Sequence, residues 1–423
     1  MKEELAMFVK TTEIKALIVY TSGITEQEYE LLKDIKKDVF FLVSVNDIVP
    51  SFIPDDVVIK ESLEDYTYGT TVKSVVNKIF ISSNNLVFIS KNKALIKKIL
   101  HQPVGTILID ENLSQYEDIG FLPDCKFPNA IKLVDSLNLK IGYFSELMST
   151  LVLEKAFNTS GMFFTFIMER ENIRVKIVAG GRYFGSSHNL FNVHQLSRRV
   201  NISKSHDSQN DIFVSILEPL VNKVIETSKS RLNDDDSNLY GVTRVPSRPN
   251  KDDRFKPIVE AISKNLCISD LSSVLTCPED YPSHKSLGKE KRFENVAGKF
   301  KVIDKEMVEN KHIILLDDVF TTGATVFECA KELYKNGASV VEVVVLAVNQ
   351  YTRDYFSHKN MDCPRCDQPM VMKINTNTNS AFFGHQDYKT NSCRNTEHFL
   401  PGLNHYNKKN AIVPLEEEDT VLF

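Results

Sequence analysis

The run Ile313-Ile-Leu-Leu-Asp-Asp-Val-Phe-Thr-Thr-Gly-Ala-Thr325 constrains the fold more than any other stretch of the chain. His312 to Leu316 reads as a buried strand, while Ala330 to Asn336 carries a helical pattern that Gly337 stops. A turn of small and hydroxyl-bearing residues therefore lies at a strand's carboxyl end and opens a helix. In open α/β sheets ligands bind at that end, and the first backbone N–H groups of the helix favour a phosphate. Thr321, Thr322 and Thr325 add hydroxyl donors, and Gly323 lets the backbone come close. Asp317 and Asp318 would repel the same phosphate, so they are suited to accept from sugar hydroxyls or to sit near a hard cation such as Mg²⁺.

This pattern of four apolar residues, two acidic residues and a Thr/Gly-rich turn resembles the phosphoribosyl-pyrophosphate (PRPP) loop of type I phosphoribosyltransferases. The resemblance implies that Asp317 and Asp318 meet the ribose 2- and 3-hydroxyls, and that Thr321, Thr322, Gly323, Ala324 and Thr325 hold the 5-phosphate. An Asp-Asp strand exit with a Thr-rich cap is the plainer alternative. Upstream, Leu239 to Val245 reads as a strand running into Pro246-Ser-Arg-Pro249, with a helix from about Arg254 to Lys264. The same family places the turn after this strand at the pyrophosphate. Arg244, Ser247, Arg248 and Arg254 are the candidates, since guanidinium groups pair bidentately with phosphate oxygens. Arginines around prolines also populate ordinary surfaces.

Between these pieces, Arg292, Asn295, Val296, Gly298 and Phe300 follow in order the segment that precedes the PRPP loop in competence-associated (ComF-like) phosphoribosyltransferases. That likeness implies a mobile loop closing over pyrophosphate, with Lys289, Lys291 and Arg292 on it. Arg292 joins Asp317 and Asp318 as the expected catalytic set. The family's usual amino-terminal zinc module and typical first-loop sequence are missing.

The remainder must fill further units, because 423 residues exceed one domain. Within residues 1–145 the apolar runs Ala16–Tyr20, Val39–Val43, Leu86–Ile89 and Thr106–Ile109 alternate with helical patterns, which predicts a parallel α/β sheet. The layout resembles a haloacid-dehalogenase (HAD)-type fold, with Ser44 and Pro123-Asp124 in fitting places. Where that family needs two aspartates after the first strand, this chain has Tyr20 and Ser22, followed by Gly23. Neither side chain supplies a carboxylate nucleophile or metal ligand, so a catalytically degenerate domain is expected; a different small α/β fold is the alternative. Residues 146–237 read as a β-rich and helical hood or connecting region, with a hairpin turning at Glu169 to Asn172 and a helix near Ile212 to Thr227. Arg182, His188 and His194 share no ligand spacing and read as surface or hydrogen-bonded residues. Arg231 to Asn238 reads as a solvated linker, and the phosphoribosyltransferase-like domain spans 238–355.

Residues 356–410 hold Cys363, Cys366, His385 and Cys393. Cys-x2-Cys-x18-His-x7-Cys offers three thiolates and one imidazole, a tetrahedral set for structural Zn²⁺. The surroundings resemble the zinc ribbons at the carboxyl end of bacterial type I topoisomerases, with His385 where Cys is usual. Phe382, Phe383 and Tyr388 either stack single-stranded bases beside Arg365, Lys373 and Arg394 or form the ribbon's small core.

The amino end, Met1-Lys-Glu-Glu-Leu-Ala-Met, is acidic where a signal peptide is basic, and no apolar run reaches membrane-spanning length, so a cytoplasmic protein is expected. A net charge of −5 argues against a globally basic nucleic-acid coat. The expectation is thus a multidomain α/β protein binding PRPP with Mg²⁺ and transferring its ribose to an unknown acceptor, with homo-oligomers compatible. The alternative is a non-catalytic, PRPP- or nucleotide-responsive protein whose ribbon contacts nucleic acid or a protein partner.

Overall fold

The computed structural model describes residues 14–61, 75, 78–81, 85–100, 104–110, 116–136, 143–150, 163–186, 188, 190–191, 194–204, 209–232, 239–282, 287–351, 361–363, 365–366, 368–375, 380–385 and 392–398. Residues 233–238 of the expected linker, and Tyr388 of the ribbon, lie outside this set.

An amino-terminal sheet of six parallel strands runs in the order Val58–Glu61, Asp38–Ser44, Ala16–Tyr20, Leu86–Ser90, Gly105–Ile109, Cys125–Phe127. Its inner strands are apolar without alternation because both faces are covered. One face packs Leu17, Val19, Phe41 and Ile89 and the other Ile18, Phe40, Leu42 and Phe88. Short, weakly patterned segments supply the edge strands Val58–Glu61 and Cys125–Phe127, in addition to the four strands that the apolar runs predict.

A second, mixed sheet runs Ser269–Asp270, Tyr240–Arg244, His312–Phe320, Val340–Gln350, Ile173–Ala179, Phe164–Arg170, with Arg182–Phe184 also paired to Val340–Gln350. All neighbours are parallel except the final hairpin. The hairpin turns where expected: Glu171 and Asn172 both take positive φ, 50° and 63°, as a two-residue primed turn requires. Yet this hairpin does not stand apart as a hood or connecting region. Lys176 to Ala179 pair with Glu342 to Val345, so it extends the sheet that carries the acidic pair. The helices Asn210–Leu232 and Lys256–Leu266 cover one face of that sheet, and Ala324–Lys335 belongs to the core on the other.

Parallel pairing brings the carboxyl ends of three strands to one edge. Arg244 lies opposite Leu316, Asp317 opposite Val345 and Phe320 opposite Val348. The two sheets meet beside that edge. Gln350 accepts at Oε1 from the Leu122 N–H (2.8 Å) and donates through Nε2 to the Ile119 carbonyl (3.1 Å). Arg182, wholly buried, donates to Asp124 (2.6 Å), to both oxygens of Glu146 (2.8 and 2.9 Å) and to the Leu122 carbonyl (3.2 Å). Arg182, His188 and His194 are therefore buried and hydrogen-bonded, not on the surface.

The carboxyl-terminal unit is a four-stranded antiparallel ribbon of Met361–Asp362, Pro369–Asn375, Ser380–His385 and Thr396–His398. Among the described residues no helix is long and apolar enough to cross a membrane.

Candidate functional site

The expected strand–turn–helix is present, with one change of boundary. The strand does not stop at Leu316 but continues to Phe320, so Asp317 and Asp318 lie in its last turns of pleat rather than beyond it. Each carboxylate bends back on the backbone. The Asp318 N–H donates to Asp317 Oδ1 (2.9 Å), and the Val319 N–H donates to Asp318 Oδ1 (2.7 Å). Gly323 then takes φ 82° and ψ 3°, and the helix Ala324–Lys335 begins with no side chain capping its first N–H groups. Gly323 has no room for a larger residue, since a Cβ there would sit 2.5 Å from Met168 Sδ and 2.6 Å from Phe320 Cζ. Thr322 is buried in the turn, while Thr321 and Thr325 are partly exposed at its mouth. At the far end Gly337 takes φ 92°, the left-handed helix stop that the sequence suggested.

The two aspartates are not equivalent. Burial, then the neighbouring negative charge of Asp318, pushes the Asp317 carboxyl well above the usual carboxylate range. Asp318 has a counter-ion, because its Oδ2 accepts from Arg254 Nη2 at 3.1 Å. The pair thus offers one carboxyl inclined to keep its proton and one anchored carboxylate, both partly open to solvent.

The expected pyrophosphate residues fall into different settings. Arg244 is buried and doubly engaged by Asp253, with its Nη1 donating to the Leu275 carbonyl (2.8 Å). Asp253 also accepts the Lys256 N–H at 3.2 Å, which ties Arg244 to the start of the next helix. Ser247 donates to the Asp252 carbonyl (2.9 Å). Arg248 donates to the Tyr281 carbonyl (2.8 Å), lies over the Tyr281 ring and comes within 3.6 Å of Asp280. Arg254, grouped with them by sequence, faces the acidic pair instead.

The segment expected to be a mobile loop contains the helix Lys289–Val296, whose buried side carries Arg292, Phe293 and Val296. Arg292 donates through Nε to the Leu287 carbonyl (2.8 Å). Burial lowers its pKa, as desolvation of a cation must. Lys289 and Lys291 lie on the more open side of the helix. Sequence reasoning missed Asp253 and Ser203 as partners of these arginines. Only an acidic residue just before a helix start hinted at the first.

A second site lies in the ribbon. One ligating atom from each of Cys363, Cys366, His385 and Cys393 can be chosen so that all four lie within 4.8 Å of one another. Cys363 Sγ is 3.8 Å from Cys393 Sγ, and Cys366 Sγ is 3.7 Å from His385 Nε2. Around a tetrahedral zinc, bonds of about 2.3 Å to sulfur and about 2.0 to 2.1 Å to nitrogen put two sulfurs roughly 3.8 Å apart and a sulfur and nitrogen roughly 3.6 Å apart. The donor set therefore fits a metal ion and is compatible with zinc. Burial disfavours the Cys363 thiolate, but N–H groups of Arg365 and Cys366 and the adjoining thiols bring its pKa down to about 7. Phe383 is fully buried and belongs to the ribbon's core, while Phe382 is half-buried.

No protein-family model matches the chain, and no curated protein matches it.

Proposed function

We propose that the mixed sheet is a ComF-like type I phosphoribosyltransferase unit that binds PRPP at the carboxyl edge of His312–Phe320. The observation that carries this reading is the junction of an acidic pair, a left-handed Gly323 and an uncapped helix start on one parallel strand. Asp317 and Asp318 take the ribose hydroxyls, and the N–H groups and hydroxyls of residues 321–325 take the 5-phosphate. Transfer would break the bond from ribose C1 to the pyrophosphate oxygen, whose electron pair leaves with pyrophosphate, and form a bond from C1 to an acceptor that gives up a proton. Mg²⁺ would enter with the pyrophosphate, supplying positive charge for the leaving group, with the two aspartates as hard oxygen ligands at hand.

One observation favours binding without transfer. Arg244 and Arg292, the expected pyrophosphate and catalytic arginines, are buried and already engaged by Asp253 and by backbone carbonyls. A PRPP-responsive protein needs the sugar-phosphate half of the site, and that half is the better formed. The amino-terminal sheet is read as a degenerate HAD-like unit. Tyr20 stands where a carboxylate would be needed, and its hydroxyl is pushed up by burial and by Asp47, the reverse of what a nucleophile requires. The ribbon is read as a structural zinc site.

Calorimetric titration with PRPP and Mg²⁺, followed by pyrophosphate release in the presence of bases, amines or single-stranded DNA, separates these outcomes. Binding that is lost in the Asp317→Asn/Asp318→Asn variant, with no turnover for any acceptor, selects the responsive protein; release selects the transferase. Failure of PRPP to bind or to raise thermal stability removes both.

A further inference from the structure

Two ion pairs stand at the site's edge, and they differ in how firmly they are held. Arg244 has only 7% of its side chain exposed and is fixed by Asp253 and a carbonyl. Arg254 and Asp318 keep 27% and 20% of theirs exposed, so their contact lies where a ligand can reach it. An ion pair this open is weak enough for a bound ligand to displace.

Arg254 also has a second station. Its Nη1 donates to Ser203 Oγ (3.0 Å), and the Ser203 hydroxyl spends its single hydrogen on the Val200 carbonyl (2.8 Å). Ser203 therefore faces Arg254 purely as an acceptor. It caps the carboxyl end of the helix Gln195–Ile202, the end at which helix dipoles attract cations. The guanidinium bridges two acceptors, one on the acidic pair and one on a helix end, and can move its weight from the first to the second.

We propose that Arg254 is an internal competitor for the sugar diol. In the free protein it occupies Asp318, and ligand binding shifts it towards Ser203, so the helix Gln195–Ile202 senses whether the site is filled. This rests on the reading of residues 317–325 as a ribose-phosphate site. It places Arg254 on the sugar side, whereas a pyrophosphate contact would make it an attractive partner of the ligand. The conformational cost of vacating Asp318 multiplies the apparent affinity by the fraction of molecules in which the pair is open.

The probes are ribose 5-phosphate, which has the diol and phosphate but no pyrophosphate, and PRPP with Mg²⁺. Dissociation constants are measured for wild type, Arg254→Met, Ser203→Ala and the double variant. Arg254→Met is expected to tighten ribose 5-phosphate binding about two- to fivefold, the range that a partly exposed ion pair can oppose. Ser203→Ala removes the second station and is expected to weaken binding, with no effect once Arg254 is already Met. Binding of ribose 5-phosphate that is unchanged or weaker in Arg254→Met overturns the competitor role while leaving the site reading intact. Weaker binding of PRPP alone marks a pyrophosphate contact and overturns it likewise. An equal effect of Ser203→Ala in both backgrounds overturns the link to the helix. If neither ligand binds wild type or variants, the site reading falls and this proposal with it.

Discussion

Replacing Gly323 by alanine tests whether the turn 321–323 is held by sterics or merely tolerates glycine. The backbone at φ 82° and ψ 3° is left-handed, which costs a residue with a Cβ about 1–2 kcal/mol. The new methyl would also lie 2.5 Å from Met168 Sδ and 2.6 Å from Phe320 Cζ. Met168 ends in a flexible thioether and can yield. Phe320 cannot swing freely, because it is buried and packs edge-on against Phe166 with centroids 5.0 Å apart. Overpacking of this kind costs about 1–3 kcal/mol. Alanine recovers roughly 0.4–1 kcal/mol by restricting the unfolded chain. The net loss is then about 1–4.6 kcal/mol, concentrated where the helix Ala324–Lys335 begins. Cys329 reports on that helix directly, since its thiol is fully buried and burial pushes its pKa up, so it alkylates only when the helix opens. Mass-spectrometric labelling should show Cys329 reacting between about 5- and 2000-fold faster in Gly323→Ala than in wild type. The exposed Cys267 serves as an internal control with an unchanged rate. Equal Cys329 rates in the two proteins would refute the steric argument and the close approach of backbone to phosphate that depends on it.

Two further outcomes concern other parts of the chain. Purified protein should carry stoichiometric zinc, and stripping it with a chelator should expose Cys363, Cys366 and Cys393 to alkylation while leaving Cys329 protected; zinc-free protein with the same labelling pattern would remove the metal centre. Burial disfavours the Glu342 carboxylate, but hydrogen bonds from His312 (2.7 Å) and Lys176 hold its pKa down at about 2. The unfolded chain, with a carboxyl near about 4.3, binds more protons than the native state between those values, so stability falls as pH falls through that window. The urea midpoints of wild type and Glu342→Gln should therefore differ most near neutrality and converge towards about pH 2, and a gap independent of pH would contradict the assignment.

What the sequence disclosed was what is local. Gly323 and Gly337 bracket a helix because each needs a positive φ, and both signals sit within a few residues of the element they bound. The cluster of three cysteines and His385 was legible for a similar reason, since Cys363 and Cys366 share one knuckle and His385 ends a strand whose pairing with Met370 brings it back. The partners of the arginines were not legible. Arg244 turns to Asp253 and Arg254 to Asp318, although either could have faced solvent phosphate on spacing alone. The hairpin's place in the mixed sheet depends on Lys176 meeting Glu342 across more than a hundred residues, and its own alternation fixes only the face it buries. For Arg182 the sequence left surface and hydrogen-bonded settings open, and the second holds; its partners Asp124 and Glu146 lie too far off in sequence for spacing to name them.

That buried arginine also ties the first sheet to the second. Phe320, the last strand residue before the phosphate turn, pairs with Val348, and Val348 pairs in turn with Arg182. Two residues on, Gln350 binds the backbone of Leu122 and Ile119, and the Tyr351 N–H donates to the Gly120 carbonyl (2.9 Å). Strand pairing and these hydrogen bonds therefore connect the turn to the segment 116–124, which leads into the first sheet's edge strand Cys125–Phe127. Glu146 shows how tightly that junction is set: burial works against its charge, yet Arg182 and His194 hold its pKa at about 2. Pulling the segment away would leave Arg182 without Asp124 and bare a buried charge set, for which removal of one partner costs about 3–5 kcal/mol. The segment leading into the strand Cys125–Phe127 is thus tied, through its own backbone and Asp124, to the strand edge beside the turn 321–323.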